Sequence, residues 1–404
     1  MIINCKSEIN GIKTFNRIVI QPMEGCDGTE DGGIGELTRR RYLRFAESGA
    51  GVIWFEAVAV CKEGRANPRQ LYLTEKNVAE YRCLLEDIRA KSREKFGYAP
   101  IIIMQATHSG RYSKPKGSPM PVAAYRNSVY EKGKEELNYH IITDEECDDV
   151  VRLYAKSARL AAEAGFDGID VKCCHGYLFN EFLSAYDRKG RYGGNLENRT
   201  RLYFSCIDSV KANISDDMFV TTRLNAYDGF DYPYGFGVNQ SNEIDLTETK
   251  EVISGLKSKG VELVNITIGN PYLIPSINRP FVGGTEDGMT GVERVVRITD
   301  ELQKAFSDMK IVMSALTFPG VGALDFAEEC LQNGSCSFVG FGRMSFAYPQ
   351  FYAEYLENGS LDKNKVCIKC GNCSRMMRAG GVAGCPVRDK EVYLPLYKKY
   401  TEGR

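Results

Sequence analysis

Neither sign of charge dominates this chain. It has 52 lysines and arginines against 53 aspartates and glutamates, an isoelectric point near 6.4 and no long block of either sign. A nucleic-acid or anionic-membrane partner therefore has no electrostatic footprint. No uninterrupted apolar run reaches the roughly 18 to 20 residues needed to span a bilayer. The opening MIINCKSEIN lacks a basic segment leading into an apolar core, so no secretory signal is expected. These absences point to a cytoplasmic protein. No GxGxxG follows a strand-like run, which argues against a Rossmann dinucleotide-binding module, and no periodic internal repeat is visible. Fourteen cysteines, about 3.5% of the chain, fall below the roughly 8–10% of a disulfide scaffold. Most read as small buried apolar groups.

What is present is ordinary for a folded globular protein: 43% hydrophobic and 26% charged residues over 404 positions. That length accommodates one large α/β barrel with an appendage, or two smaller domains. Strand-length apolar runs lie at residues 18–21, 51–60, 100–105, 168–173, 218–224, 261–268, 310–315 and 337–341. Their near-continuous apolar character, as in PIIIM and GVIWF, predicts parallel strands buried on both faces. Helical signals separate them. Thr143-Asp-Glu-Glu146 reads as a capping box, Val151, Tyr154, Ala158 and Ala161 repeat at helical spacing, and Gly165 ends that helix. Eight such alternations predict an α/β fold of the (β/α)8 TIM-barrel type with a short C-terminal cysteine-rich appendage. The expected division is 1–350 for the barrel and 351–404 for a C-terminal helix, read over 348–362, and a four-cysteine segment. Two long connections, 107–142 and 269–293, leave the C-terminal ends of the third and sixth strands, where barrel active sites are built. They read as lids over a site.

Several residues have chemistry that their positions make useful. Gln105 ends an apolar strand, where a carboxamide needs partners or costs desolvation; a ligand contact competes with a satisfied structural amide. Arg223 sits at the mouth of the fifth strand, with an internal salt bridge as the alternative. Gly340, Gly342 and Arg343 lie where barrels often bind phosphate, and backbone N–H groups with a guanidinium suit a phosphomonoester. Near the C-terminus, Cys367-Ile-Lys-Cys370-Gly-Asn-Cys373 is followed after eleven residues by Cys385-Pro386. This CxxCxxC…CP run suits a [4Fe–4S] cluster, with four-cysteine zinc or unligated thiols as alternatives.

Across residues 1–350 the chain resembles the old yellow enzyme family of FMN-dependent ene-reductases. The resemblance rests on Asn16-Arg-Ile-Val-Ile-Gln-Pro-Met23, Gln105-Ala-Thr-His-Ser-Gly-Arg111 and Glu163-Ala-Gly-Phe-Asp-Gly168. It continues through His175-Gly-Tyr-Leu178, Phe182-Leu-Ser184, Tyr192-Gly-Gly194, Glu197-Asn-Arg199 and Gly340-Phe-Gly-Arg343. The cysteine run resembles the dienoyl-CoA reductase and trimethylamine dehydrogenase branch, whose additional nucleotide-binding domains are not expected here. The resemblance implies a flavin lined by Pro22, Met23, Glu24, Ala57, Gln105, Arg223, Ala315, Gly340, Gly342 and Arg343. It also implies a carbonyl-binding pair, here Lys172 and His175, and a proton-delivering Tyr177.

Three departures stand out. Lys172 replaces the usual histidine, Ser314-Ala-Leu316 stands where glycines are commoner, and Glu24 occupies a site usually taken by Thr, Cys or a small residue. A carboxylate there would disfavour the anionic reduced flavin, so Glu24 either points away or is protonated. His108 is expected only to brace the long loop. The implied activity is reduction of an activated C=C bond in an α,β-unsaturated carbonyl compound, such as an aromatic or flavonoid-like enone, a cinnamoyl or steroid compound, or an enoyl thioester. NADH, NADPH or an electron-donor protein would be the reductant, and a homo-oligomer is expected. The alternatives are an amine dehydrogenase or demethylase on the same scaffold, and a non-catalytic flavin-binding module.

Overall fold

The computed structural model describes residues 1–133 and 138–402. All eight apolar runs form strands: β1 Ile18–Ile20, β2 Val52–Ala59, β3 Ile101–Thr107, β4 Gly168–Val171, β5 Phe219–Asn225, β6 Leu263–Thr267, β7 Lys310–Met313 and β8 Phe338–Phe341. Each pairs in parallel with its neighbour in sequence, and β8 pairs with β1 to close the barrel. Except for Lys310, every residue in these strands is buried, because helices cover the outside and side chains fill the inside. Eight helices follow the strands: α1 Glu36–Ala46, α2 Val78–Phe96, α3 Asp144–Ala164, α4 Leu196–Lys211, α5 Thr247–Ser258, α6 Gly288–Ala305, α7 Ala323–Gln332 and α8 Phe351–Asn358. The capping box at Thr143 and Glu146 forms, and Gly165 closes α3 in the left-handed region at φ 88°. Left-handed Gly359 ends α8 four residues after Tyr355, so this helix is shorter than 348–362.

Strand periodicity positions the site. Val19, Val52, Trp54, Ile101, Ile103, Phe219, Leu263, Val312 and Phe338 pack together in the barrel interior with Ile9. Ile9 belongs to an N-terminal hairpin, Ser7–Ile9 with Ile12–Thr14, which the apolar-run reading does not detect. Because successive side chains alternate sides, the same inward rows continue toward the C-terminal rim as Gln21, Gln105, Asp170, Arg223 and Asn265. Gln21 and Asn265 meet across the barrel, the Asn265 amide donating to Gln21 Oε1 at 2.9 Å. In β2 a register irregularity lets Trp54 oppose Ile103 and Ala57 oppose Gln105. Three steps on β2 thus match two on β3, which keeps small Ala57 on the cavity side. Glu56 instead meets Arg41 and Tyr42 of α1.

The 107–142 connection carries a short parallel ladder of Val122–Ala123 with His140–Ile141 and a one-turn helix, Ser128–Glu131; its residues 134–137 lie outside the described set. The 269–293 connection is shorter than expected. Asp287 accepts from the N–H groups of Met289 and Thr290, so α6 begins at Gly288. After α8, helices α9 Asn372–Arg378 and α10 Lys390–Thr401 fold back on the barrel rim. The Ala383 N–H donates to Gly25 O at 2.7 Å, Arg378 donates to Pro271 O at 2.8 Å, and Asp389 accepts from Arg40 and Arg44 of α1. Residues 403–404 of the expected appendage are outside the described set. Among the described residues no helix is long and apolar enough to cross a membrane.

Candidate active site

The C-terminal ends of the strands open onto a cavity of about 1030 Å³, mouth included. Pro22, Met23 and Glu24 follow β1 into its wall, Ala57, Gln105 and Arg223 come from β2, β3 and β5, and Lys172, His175 and Tyr177 follow β4. Ala315 follows β7, and Gly342 and Arg343 follow β8. Twelve of the thirteen residues expected to hold the flavin and the substrate therefore meet at one place. Gly340 does not join them. A Cβ there would lie 1.9 Å from Gln21 Nε2, so this glycine makes room for a barrel side chain. At Gly342, by contrast, a Cβ would come within 2.8 Å of Met23 Sδ inside the wall. Ala315 sits at φ 68°, a left-handed conformation that explains why glycine would be at ease there.

Asp170 ties the floor together. Its carboxylate accepts from Gln105 Nε2 at 2.6 Å, Trp54 Nε1 at 2.8 Å and the Arg223 backbone N–H at 2.7 Å. Burial pushes its pKa up to about 6, with the Gln105, Arg223 and Trp54 donors and Lys172 pulling it back. With one amide N–H held by Asp170, Gln105 still has its carbonyl oxygen to offer a ligand. Arg223 is buried and its pKa is lowered by that burial, Cys174 and Asp170 countering it. Its Nε has no partner among the described residues, and neither does Asn278 Oδ1 on the same cavity wall. Orphaned buried polar atoms are rare in folded proteins. Here they fit a polar ring seated between Gln105 and Arg223, with Arg343 and the backbone of residues 342–343 left for a phosphate. These residues fit FMN.

The wall after β4 is built on unusual backbone. His175 and Gly176 are both left-handed, at φ 64° and 71°. The Gly176 N–H donates to Asn180 Oδ1 at 2.6 Å, while Asn180 and Asn225 both donate to Asp228 and hold the turn. His175 Nε2 accepts from Asn278 Nδ2 at 2.9 Å and lies 3.2 Å from Thr267 Oγ1. Burial, then the cations Arg223, Lys172 and Arg279, drive its pKa well below the ordinary histidine range, so the ring is neutral. Lys172 Nζ stands 3.8 Å from the centroid of the Tyr177 ring. The Tyr177 and Tyr272 hydroxyls are 2.7 Å apart, and Tyr272 stacks on Tyr112 at 4.0 Å. Burial and then Glu24 push the Tyr177 phenol up, while burial lowers Lys172 against the pull of Cys174 and Glu24. Glu24 lines the cavity and accepts from Asn67 Nδ2 at 3.3 Å. Of its two expected states, pointing away is thus set aside. Burial raises its pKa toward the protonated form, with Lys172 and Tyr177 opposing.

His108 lies outside the cavity lining. It is buried, and its Nδ1 accepts from the Gly110 N–H at 3.1 Å. Burial lowers its pKa to about 4. An unfolded chain therefore binds this proton first, near the ordinary 6.5, so the stability from neutral His108 is complete above pH 6.5 and lost as pH falls. The loss is about 3 kcal/mol by pH 4. His108→Gln should flatten this part of the acid limb in urea denaturation between pH 4 and 7; an unchanged slope refutes the assignment.

The four cysteines expected to hold a cluster are not drawn together in this structure. Among the described residues no three His, Cys, Asp or Glu side chains are gathered to hold a metal ion, and Cys367, Cys370, Cys373 and Cys385 are free thiols. Cys373 starts on α9, after left-handed Lys369 and Gly371, whereas Cys370 is exposed. Burial raises the Cys367 and Cys385 thiols, the latter to about 11, and each is raised further by facing Cys373. Only Cys373 reaches the cavity wall. The structure adds Tyr272, Asn278 and Arg279 to that wall, all from the connection after β6. That stretch has no periodicity, and nothing in the sequence singled them out.

The sequence profile of the NADH:flavin oxidoreductase / NADH oxidase family matches residues 8–268. An NADPH dehydrogenase of Geobacillus sp. (strain WCH70) is 29% identical over 357 residues, covering 87% of this chain and 93% of that protein. Among solved structures, a 2-naphthoyl-CoA reductase in complex with 2-naphthoyl-CoA superposes with a TM-score of 0.79 at 20% identity. It covers 99% of this chain but 58% of its own, so the chain spans little more than half of that reductase. The old yellow enzyme homologue of Zymomonas mobilis superposes with a TM-score of 0.68 at 21% identity, over 90% of this chain and 94% of its own. These two likenesses establish the shared barrel. With the profile spanning well over half of its length, the chain belongs to the NADH:flavin oxidoreductase / NADH oxidase family and is a flavin-dependent oxidoreductase of the old yellow enzyme type.

Proposed function

We propose that this enzyme saturates the activated C=C bond of an α,β-unsaturated carbonyl compound. The observation that carries the reading is that Lys172, His175 and Tyr177 line the same cavity as Gln105 and Arg223. When bound, FMN supplies a hydride from its N5. Lys172 and His175 hold the substrate carbonyl oxygen and stabilise the charge that develops on it. Because His175 is neutral, Lys172 is the charged member of that pair. The Tyr177 hydroxyl delivers the proton to the neighbouring carbon. Once deprotonated, its oxygen accepts from the Tyr272 hydroxyl and its ring lies against the Lys172 ammonium. Residues 1–350 are proposed to be the FMN barrel and 351–404 its helical, cysteine-bearing segment.

Anaerobically purified holoprotein, given NADH or NADPH and a panel of aromatic enones, cinnamoyl compounds and enoyl thioesters, is expected to yield the saturated product. Reduction of the bound flavin by amines without any added reductant, and no alkene turnover, would replace this reading by an amine dehydrogenase. The CxxCxxC…CP spacing supports uptake of iron and sulfide, for which the four thiols would draw together. Metal analysis showing about four iron and four sulfide per chain supports that part, and their absence overturns it.

A further inference from the structure

Four cationic side chains line the cavity, Lys172, Arg223, Arg279 and Arg343, against one carboxyl group, Glu24. None of the four has a side-chain ion pair among the described residues, but Lys172 feels Glu24 and Asp170, Arg223 feels Asp170, and Arg343 donates to Pro280 O at 2.7 Å. No carboxylate is among the groups acting most strongly on Arg279. Its hydrogen bond is a long one, to Ser374 Oγ at 3.4 Å. Burial pushes its pKa down to about 10, Tyr272 being the strongest group acting the other way; the other cations Arg343 and Arg378 add to the lowering. A half-buried guanidinium among cations without a carboxylate is costly unless an anion completes the site. Its neighbours say where that anion lies. Tyr272, which bonds the Tyr177 hydroxyl, is its strongest electrostatic partner, and His175 feels its charge.

We infer that Arg279 binds a carboxylate carried by the substrate, so that the natural substrate is an unsaturated acid rather than a neutral enone. This rests on the ene-reductase reading and narrows it. A guanidinium presents paired N–H donors that match the two oxygens of a carboxylate. The connection after β6 puts Arg279 in the same cavity as Lys172, His175 and Tyr177, close enough for its charge to act on His175. Two other anions compete for this chemistry: the cofactor's phosphate, which the turn at Gly342 and Arg343 would take, and the Cys373 thiolate, which also acts on Arg279.

The test uses oxidised holoprotein and compares 3-phenylpropanoate with 3-phenylpropanamide, both saturated and so inert to reduction, by the change in flavin absorbance. The acid is expected to bind about 10- to 100-fold more tightly than the amide, the range of one charge-assisted contact. Arg279→Met should abolish that preference, Arg279→Lys should keep much of it, and both should retain FMN as the wild type does. Persistence of the preference in Arg279→Met overturns the inference. So does selective loss of FMN but not riboflavin, which would assign Arg279 to the phosphate. Turnover separates the two readings. Acid binding that depends on Arg279 without reduction of cinnamate would sink the ene-reductase proposal alone. Reduction of neutral enones with no acid preference would sink the carboxylate assignment alone.

Discussion

Tyr177→Phe is expected to bind FMN normally and to lose alkene turnover by about 10²- to 10⁴-fold, the range for removal of a positioned acid. The phenol is buried and its pKa is raised by burial and by Glu24, so it is fully protonated at neutral pH and ready to donate. Its environment also lowers the cost of having donated. Tyr272 supplies a hydroxyl at 2.7 Å, and Lys172 Nζ lies 3.8 Å from the ring centroid. Phe keeps the ring and therefore the packing and the cation–π contact, and removes only the hydroxyl. Rapid-mixing measurements should show flavin reduction by NADH or NADPH unchanged and reoxidation by the alkene slowed. The wild type's solvent isotope effect on reoxidation should change in the variant. A variant that turns over at the wild-type rate removes Tyr177 as the proton donor and leaves Tyr272 or Glu24 as the group to replace next.

The sequence made the barrel legible because parallel strands covered on both sides are apolar along their whole length, as in GVIWF and PIIIM. All eight runs became strands. The same uniformity concealed which residues face inward. Asp170, in the run GIDVK, reads from sequence as an acidic residue near a strand end. Its role emerges only when β4 closes between β3 and β5 and brings Trp54, Gln105 and the Arg223 backbone around it. Glu56 was equally unreadable, because the irregularity after Trp54 breaks simple alternation. The site residues that sequence did provide lie at strand ends, where a polar group interrupts an apolar run. Arg279 and Tyr272 lie in a connection whose path is set by tertiary contacts, among them Arg343 to Pro280 and Arg378 to Pro271. No local pattern encodes such contacts. The cysteine spacing was plain in the sequence, but spacing along a chain does not by itself bring thiols together. Left-handed Lys369 and Gly371 place Cys370 in solvent.

Asp170→Asn should weaken FMN binding by about 10- to 100-fold, the worth of one charge-assisted hydrogen bond, without unfolding the barrel. The three groups around Asp170 are all donors. Asparagine can present its carbonyl oxygen to Trp54 and Gln105, but its NH2 then faces the Arg223 backbone N–H, donor against donor. Asp170 is thus a positioning residue: it orients Gln105 and seats the Arg223 segment without lining the cavity itself. The pH dependence gives a readout that packing alone would not move. With the folded pKa raised from 3.8 to about 6, the folded chain holds the proton more readily than the unfolded chain. Keeping the group charged above pH 6 therefore costs the fold about 3 kcal/mol, a cost absent below pH 3.8. The ionised form that accepts from all three donors prevails above about pH 6. FMN affinity of the wild type, followed by quenching of flavin fluorescence, should accordingly fall as the pH drops through 6. In Asp170→Asn, where nothing titrates at this position, affinity should be low and flat across the same range, with the thermal midpoint at neutral pH little changed because the buried charge is gone. Wild-type affinity in the variant, or an unaltered inflection near pH 6, would show that another group holds Gln105 and Arg223 in place.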